Sequence, residues 1–259
     1  MPGIITLCTD FGLRDGYVAA MKGVILSIAP RARLVDISHD IAPQCVREAA
    51  FVLRSTYAFF PPGTIHLVVV DPGVGSERRA VAVRAGKHFF VAPDNGVLEY
   101  VLRQEEGIEA VSLTNATYWR GEVSATFHGR DIFAPVAAHL ARGVPLRDLG
   151  ERVEDLVHAE LPIPERRGDG TIIGHVLYID GFGNVVTDLP ASMLRGYNWR
   201  VTAGEKQIIG LSPTYASAAK GELIALIGSH GFLEIAVREG SAAYIAHLSV
   251  GDIIQVVQL

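Results

Sequence analysis

Residues 65–70, with the sequence IHLVVV, form an almost wholly apolar run that ends abruptly at Asp71, Pro72 and Gly73. A strand that is apolar at successive positions is typical of a sheet with helices on both faces, because both of its sides are buried. Sheets of that kind are built largely from parallel strands joined by helices. This segment therefore predicts an α/β layered domain with a largely parallel sheet.

The rest of the first half of the chain alternates strands with helices, and the second half does not. Apolar spacing predicts strands at 4–8, 34–37, 81–84 and 89–92, the last two as a hairpin, and helices at 17–28, 46–59, 96–103 and 133–142. After Leu149 the chain becomes polar and proline-containing, as linkers are. Short alternating stretches separated by glycines then predict a small all-β barrel or sandwich. We expect domains at 1–160 and 171–259, joined by a linker at 161–170.

Composition favours a small-molecule partner. The 259 residues are 49% hydrophobic with a formal net charge of -5, whereas proteins that bind nucleic acid or anionic membranes are usually basic. The N-terminal MPGIITLCTDF lacks the features of a secretion signal, and no apolar run approaches the roughly 20 residues that span a bilayer. We expect a cytoplasmic protein without a membrane segment. Cys8 and Cys45 form no CxxC pair, so no disulfide is expected.

Polar residues follow three of the predicted strands directly. Asp10 comes after strand 4–8, Asp71 after strand 65–70, and Asp94 after strand 89–92, while His128 lies in the segment TFHGRD before a helix. Ligands of open parallel sheets bind beyond the carboxyl ends of the strands, where loops and helix N-termini converge. The sequence therefore predicts that these side chains share one rim of the sheet.

Each of these residues also has a structural interpretation when taken alone. Asp10 and Asp94 belong to a residue type that commonly caps turns. His128 is compatible with a partly buried, hydrogen-bonded histidine, and the pair Arg78 and Arg79 with a solvated surface. The convergence of several such residues at one rim is what favours a functional site.

Several common chemistries lack their motifs. Gly73 and Gly75 form a GxG, but no third glycine and no GK[ST] follows, so a phosphate-binding loop is weakly supported. No HExxH, zinc-type Cys/His spacing or GxSxG is present. Carboxylates of the rim could hold a divalent cation only from positions far apart in sequence. We expect no metal site.

The chain resembles the S-adenosyl-L-methionine (SAM) hydroxide adenosyltransferases, SAM hydrolases related to bacterial fluorinases and chlorinases. Six ordered segments carry the resemblance: TDFGLRDGYVAAMKG, DISHDI, VVDPGVGSERRAVAV, APDNGVL, FHGRDIFAPVAAHLA and IDGFGNVVTDL. It implies hydrolysis of SAM to adenosine and L-methionine by attack of water at the ribose C5′, with no cofactor. It also implies an N-terminal α/β domain, a C-terminal β-barrel domain, and a homotrimer whose active sites lie between subunits.

The resemblance implies roles for individual residues. The family's water-positioning triad corresponds to Asp71, Arg78 and His128. Halogenating relatives carry a tyrosine where Asp71 stands and a TGTTT-like run where this chain has VGSER, so water is the expected nucleophile. Asp10 matches the aspartate that holds the ribose hydroxyls. Arg79 corresponds to no known role.

The implied substrate contacts extend into the second half of the chain. They are Asp10, Asp94, Asn95, Asp180, Phe182, Asn184, Ser229 and Arg238. Ser229 matches a methionine-binding serine, and Asp180, Phe182 and Asn184 match contacts to adenine or methionine. Two positions depart from the pattern, because His230 stands where fluorinases have arginine and Arg238 stands where the family has asparagine.

Three other functions compete with SAM hydrolysis at this stage. One is a halide-using SAM adenosyltransferase, and another is a sensor that binds SAM or adenosine without turnover. The third is a metal-dependent nucleotide hydrolase that uses the rim aspartates.

Overall fold

The computed structural model describes residues 3–196 and 198–259. The chain divides into two compact units, the first ending at Ala159 and the second beginning at Glu160. Each unit has its own hydrophobic core.

The first unit alternates strands and helices along most of its length. Its elements are β1 (Ile4–Thr9), α1 (Tyr17–Ile28), β2 (Arg33–Ser38), α2 (Val46–Arg54), β3 (Ile65–Val69), β4 (Ala80–Ala85), β5 (His88–Pro93), α3 (Glu99–Gln104), β6 (Glu109–Ser112), α4 (Ala134–Ala141) and β7 (Glu151–Val153).

These strands form one sheet in the order β2-β1-β3-β5-β4-β6-β7. The first three neighbouring pairs are parallel, and the remaining three are antiparallel. Strands β2, β1, β3, β5 and β6 consequently run in the same direction, and β4 and β7 run opposite to them. The α/β architecture with a largely parallel sheet is confirmed, including the hairpin of β4 and β5.

Two apolar cores cover the two faces of this sheet. On one face, α1 and α4 pack through Met21 and Val136 against Leu7 and Val69. On the other face, α2 and α3 pack against a core that includes Val68. Successive strand residues point to opposite faces, so an uninterrupted apolar run is what a central strand with two covered faces needs.

Three helices differ from their predicted bounds, and the smallest difference is that of α3, expected at 96–103 and observed at Glu99–Gln104. Helix α2 ends at Arg54, before the expected residue 59, because the hydroxyls of Ser55 and Thr56 donate hydrogen bonds back to carbonyls of Phe51 and Val52. Such bonds compete with continuation of the helical ladder. The helix expected at 133–142 begins earlier, as a π-helical turn at Gly129–Phe133 that leads into α4.

Strands β6 and β7 were not predicted. Both are short, and β7 lies in the polar stretch after Leu149, where it pairs with β6 at the edge of the sheet. An edge strand has one unpaired side and needs little apolar character. Its existence therefore depends on the neighbouring strand and leaves no periodic signal.

The second unit is built almost entirely from antiparallel strands. Its elements are β8 (Glu165–Arg166), β9 (Ile172–Ile179), β10 (Val185–Pro190), β11 (Trp199–Ala203), β12 (Lys206–Ile209), β13 (Leu223–Ile227), β14 (Phe232–Val237), α5 (Ala242–Ile245) and β15 (Ile253–Gln258).

The strands of the second unit follow the order β12-β11-β15-β9-β10-β14-β13, with β8 added beside β9. The two end strands, β12 and β13, approach each other, so the sheet curls into a nearly barrel-like shape around one apolar core. Strand β8 lies inside the segment expected to be a linker, and its pairing with β9 attaches that segment to the second unit.

Among the described residues, no helix is both long and apolar enough to cross a membrane.

Candidate active site

The carboxyl ends of β1 and β3 lie side by side at one edge of the first unit's sheet. Thr9 of β1 is in register with Val69 of β3, and the chain continues from these strands into Asp10 and Asp71. Both aspartates line a cavity of about 370 Å³ at this edge. The parallel pattern thus brings together two side chains that are 61 positions apart in sequence.

Asp71, Arg78 and His128 form one hydrogen-bonded cluster. Arg78 binds the Asp71 carboxylate through two nitrogens, with Nε 2.9 Å from Oδ1 and Nη2 2.5 Å from Oδ2. The same Nη2 lies 2.8 Å from Nδ1 of His128. The Arg78 and Asp71 side chains are only 11% and 6% exposed, and a bidentate pair of this kind fixes both groups in orientation. The structure therefore joins the three residues of the predicted triad.

The loop between Asp71 and Arg78 folds back tightly enough to form this pair. The Ser76 hydroxyl donates to the Gly73 carbonyl at 2.7 Å and accepts from the Arg78 amide at 3.3 Å. Gly75 has φ +79°, and a Cβ there would lie 2.6 Å from the Ala125 carbonyl oxygen. Only glycine fits both this conformation and this close approach.

The contact with Arg78 sets the tautomer of His128 and, together with burial, its charge. A guanidinium can only donate, so Nδ1 of His128 accepts and the neutral ring carries its proton on Nε2. Burial lowers the pKa of His128, the positive charge of Arg78 lowers it further, and the charges of Asp71 and Asp131 partly oppose that shift. At neutral pH the imidazole is therefore uncharged.

Three aromatic rings form the apolar wall of the cavity. Phe11, Tyr17 and Phe127 have ring centroids 5.2 to 5.8 Å apart, and all three line the cavity. Each contacts the other two, and the edge-to-face geometry of the pairs with Phe127 is favourable for aromatic groups. The cavity therefore combines an apolar aromatic wall with the cluster of Asp71, Arg78 and His128.

Asp10 is held in place from a separate loop. Its Oδ2 accepts a hydrogen bond from the backbone amide of Gln44 at 2.8 Å. Gln44 has φ 65°, a left-handed conformation that is uncommon for residues other than glycine. Strained backbone of this type is concentrated at functional sites, and here it directs an amide at the carboxylate.

A second cavity, of about 620 Å³, lies in the second unit. Its lining residues are Asp180, Phe182, Asn184, Tyr215, Val237, Arg238, Glu239 and Gly240. Asp180 organises the turn after β9, since its carboxylate accepts from the amides of Phe182 and Asn184 and from the Asn184 side chain, each at 2.9 Å. This turn leaves Phe182 82% exposed.

A buried carboxylate is hydrogen-bonded to one of the residues that line the second cavity. Glu234 on β14 is 4% exposed and accepts hydrogen bonds from the Tyr215 hydroxyl at 2.5 Å and from Nε2 of His230 at 3.1 Å. Burial and the neighbouring Glu234 raise the pKa of Tyr215, which keeps that hydroxyl protonated as a donor. Glu234 therefore links the cavity wall to the turn between β13 and β14.

Comparison with known proteins identifies both units. Residues 5–150 match the SAM hydroxide adenosyltransferase N-terminal domain, and residues 174–255 match the C-terminal domain of the same name. The chain belongs to the SAM hydroxide adenosyltransferase family. It is 42% identical over 255 residues to the "(R)-S-adenosyl-L-methionine hydrolase" of Salinispora tropica, with 97% of each chain covered.

More distant members of the comparison are similar over the same length. A "Fluorinase" of Nocardia brasiliensis is 31% identical, with 98% of this chain and 96% of that protein covered. The crystal structure of an uncharacterized conserved protein from Thermotoga maritima superimposes with a TM-score of 0.92 at 38% identity, covering 98% of this chain and 100% of that one. Fold and length are thus shared across the whole chain.

In this member of the SAM hydroxide adenosyltransferase family, the predicted site residues fall into three groups. Asp10, Asp71 and His128 line the first cavity, and Arg78 binds two of them. Four others line the second cavity: Asp180, Phe182, Asn184 and Arg238. Ser229 is exposed in the turn between β13 and β14, outside the described lining of that cavity.

Asp94 and Asn95 form the third group, which lies outside the first cavity. The Asp94 carboxylate, 3% exposed, binds Arg79 at 2.7 Å and accepts from the Val157 amide at 2.8 Å. Asn95 donates to the Val70 carbonyl and accepts from the Val97 amide. These polar groups bond within the protein, and their predicted contact with the substrate stays a prediction. Arg79, which had no predicted task, bridges Asp94 and Asp155.

Sequence reasoning assigned no role to several residues that build the two cavities. They are Phe11, Tyr17, Gln44, Phe127, Tyr215 and Glu234. Phe11, Tyr17 and Phe127 lie inside the quoted family segments, which was the available signal. Tyr215 begins a short 3₁₀ helix and Glu234 lies on β14, both without a motif, so only the folded unit brings them together.

Proposed function

We propose that this protein hydrolyses SAM to adenosine and L-methionine. The observation that carries the proposal is the Asp71–Arg78–His128 cluster on a cavity that also contains Asp10 and an aromatic wall. The name of the Salinispora tropica relative, which matches the chain over nearly its full length, supports the same reaction. In the proposed reaction a water oxygen attacks the ribose C5′ while the bond from C5′ to sulfur breaks.

The leaving group of this reaction needs little assistance from the protein. The electron pair of the broken bond goes to the sulfonium sulfur, so methionine departs as a neutral thioether and needs no general acid. Water is a weak nucleophile, because it reacts well only when it is aligned with the breaking bond and can release a proton. We therefore propose a metal-independent reaction in which the protein's main task is to position water.

The contacts of the triad suggest how its members divide that task. Arg78 occupies Nδ1 of His128, so the ring presents Nε2–H as a donor. Asp71 keeps acceptor capacity beyond its bonds to Arg78, because a carboxylate has about four lone-pair sites. In the proposed mechanism Asp71 accepts the proton of the attacking water, His128 orients that water, and Arg78 holds both side chains.

Substrate binding is proposed to use both cavities. Asp10 accepts hydrogen bonds from the ribose hydroxyls, beside the aromatic wall. Adenine and methionine contacts come from Asp180, Phe182, Asn184, Ser229 and Arg238. We further propose that the active protein is a cytoplasmic homotrimer in which sites form between subunits, so that the two cavities of one active site come from different chains.

Two substitutions separate chemistry from binding. We expect Asp71→Asn to lower kcat by about 10²- to 10⁴-fold, the usual effect of losing a positioned proton acceptor, while SAM still binds. Asp10→Ala should weaken SAM and adenosine alike by about 10- to 100-fold, as loss of a charge-assisted hydrogen bond implies. Calorimetry measures the affinities, and chromatography of adenosine measures turnover.

A matched control and the competing functions use the same assay. Glu109→Gln makes the same kind of acid-to-amide change at an exposed ion pair of the first unit and should leave kcat unchanged. Full activity of Asp71→Asn would remove its proposed role. Formation of 5′-halo-adenosine in fluoride or chloride would indicate a halide-using enzyme, absence of any product a sensor, and loss of activity in EDTA a metal-dependent hydrolase.

A further inference from the structure

The loop that carries His128 is organised around a single buried carboxylate. Asp131 lies in the π-helical turn Gly129–Phe133 and is completely inaccessible to solvent. Short π-helical segments are rare and are frequent at functional sites. A buried carboxylate is stable only when charged or polar donors surround it, so the partners of Asp131 show what it holds.

The Asp131 carboxylate accepts hydrogen bonds from three residues. Its Oδ1 accepts from Arg130 Nε at 2.7 Å and from Arg120 Nη1 at 3.0 Å. Its Oδ2 accepts from Arg130 Nη2 at 2.8 Å and from the Ser124 amide at 2.9 Å. Its own carbonyl accepts from the Arg120 amide at 2.9 Å. Both ends of the segment 120–124 are therefore attached to this one residue.

The attached segment leads directly into the wall of the first cavity. The Ser124 hydroxyl accepts from the Thr126 amide, and Thr126, Phe127 and His128 line the cavity. The guanidinium of Arg130, held by Asp131, lies over the Phe127 ring with Cζ 5.1 Å from the centroid. The side chain of Asp131 is thus connected to the cavity wall by two separate routes.

The same segment also contacts the other half of the triad. The Ala125 carbonyl abuts Gly75, so closely that a Cβ at Gly75 would overlap it. Gly75 belongs to the loop that joins Asp71 to Arg78. A shift of the segment 120–128 would therefore move His128 relative to Arg78 and would press on the loop that holds Arg78.

We propose that Asp131 is a positioning residue for the reaction: by holding segment 120–128 it sets the contact between His128 and Arg78. This inference rests on the proposed function, since it gives Asp131 a task in the same site. The alternative is that Asp131 only stabilises the fold. The two possibilities differ in whether its effect on turnover passes through His128.

The first test is a double-mutant cycle with Asp131→Asn and His128→Ala. We expect Asp131→Asn to lower kcat by about 10²-fold, as displacement of a catalytic group by about 1 Å does, with KM for SAM changed less than about threefold. In the His128→Ala background the same substitution should lower kcat by no more than about threefold further, because contacts in one network are not additive. Equal effects in both backgrounds would overturn the proposal, as would a folded Asp131→Asn with wild-type kcat.

Two further variants control for stability and folding. Glu99→Gln removes a buried carboxylate, 2% exposed and paired with Arg103, away from the cavity, so it should lower the Tm and leave kcat unchanged. If Asp131→Asn does not fold, Arg120→Gln is the substitute: the Arg120 side chain is 45% exposed, and its loss removes one of the donors to Asp131. We expect Arg120→Gln to lower kcat in the wild-type background and to lower it much less in the His128→Ala background. An equal fall in kcat in both backgrounds would count against positioning.

A spectroscopic measurement separates this proposal from the proposed function. In protein labelled with ¹⁵N-histidine, Nδ1 of His128 should be unprotonated and Nε2 protonated at neutral pH, and Asp131→Asn should convert the ring to a mixture of tautomers. Identical His128 signals in both proteins would overturn the positioning role. If the wild-type protein makes no adenosine from SAM, SAM hydrolysis fails, while the His128 signals still decide the role of Asp131.

Discussion

At the scale of single residues, two adjacent arginines illustrate how neighbours in sequence acquire different tasks. Arg78 contacts Asp71 and His128 at the cavity, whereas Arg79 bridges Asp94 and Asp155. The chain is extended where it enters β4, and successive side chains of extended chain point in opposite directions. Arg78 therefore faces the site, and Arg79 binds Asp155 in the segment near the end of the first unit.

The protonation state of His128 predicts the acid limb of the activity profile. Burial and the charge of Arg78 hold its pKa below the ordinary 6.5, so the ring stays neutral as the pH falls through 6.5. We expect kcat/KM to remain constant from pH 8 to 6.5 and to decline only at lower pH. The pH–rate profile of the free enzyme measures this. Arg78→Met removes the nearby positive charge and should move the decline toward higher pH, and a decline that begins above pH 7 in the wild type would contradict the assignment.

At the scale of elements, the site depends on the contact between two loops. The loop 71–78 follows β3, and the segment 120–128 precedes the π-helical turn. They meet where Gly75 abuts the Ala125 carbonyl. Each loop carries part of the triad, so the geometry of the reacting groups is set by how closely these two backbones approach.

Gly75→Ala tests that close approach. A Cβ at Gly75 would lie 2.6 Å from the Ala125 oxygen, and φ there is +79°. We expect a loss of about 1–3 kcal/mol in the free energy of unfolding from backbone strain, together with a fall of about 10- to 100-fold in kcat from displacement of His128. Urea denaturation and the adenosine assay measure the two effects.

Gly63→Ala is the matched control for that substitution. Gly63 has a similar φ of +83°, but a Cβ there would meet no atom within 4 Å. The control should reproduce the loss of stability without the loss of kcat. Equal kcat values for the two variants would show that the contact between the loops does not matter for turnover.

At the scale of the whole molecule, each unit is stabilised by its own apolar packing, and the interior of the first unit also contains buried polar groups. His66 on β3 is fully buried, with Nδ1 2.8 Å from the Thr6 hydroxyl and Nε2 3.4 Å from Nδ1 of His88. Burial, and then the neighbouring His88, lower the pKa of His66 to about 3. Burial also lowers the pKa of His88. Both histidines are therefore neutral in the folded protein.

These histidines predict that the first unit loses stability in mild acid. Below the ordinary value of 6.5 the unfolded chain takes up protons that the folded core excludes, so stability is full above about pH 6.5 and falls as the pH approaches 3. For His66 alone the loss from pH 7 to pH 5 is about 2 kcal/mol. His66→Gln, which does not titrate, should show a flatter profile over this range.

The chain offers a convenient reporter for that measurement. It has two tryptophans, Trp119 in the first unit and Trp199 in the second. In Trp199→Phe, the remaining tryptophan fluorescence comes only from the first unit. In this background, urea denaturation at pH 7 and pH 5 measures how the free energy of unfolding of the first unit changes with pH. An equal acid dependence for His66→Gln would contradict the assignment.

Much of this architecture was determined by local patterns in the sequence. Helix α1 and the strands β1 and β3 follow from apolar spacing, because periodic burial is a property of the segment itself. The position of Asp10 and Asp71 at strand ends follows from the same pattern, since parallel strands share one rim. The family motifs then indicated which residues of the rim to examine.

Tertiary structure alone decided which of these side chains meet. Asp94 follows its strand just as Asp71 does, yet it turns to Arg79 and Val157. The short strands β6 and β7, the π-helical turn around Asp131, and the support of Tyr215 by Glu234 also escaped prediction. The physical reason is common to all of them: a polar side chain takes whichever partner the packing brings within hydrogen-bonding distance, and that partner is usually distant in sequence.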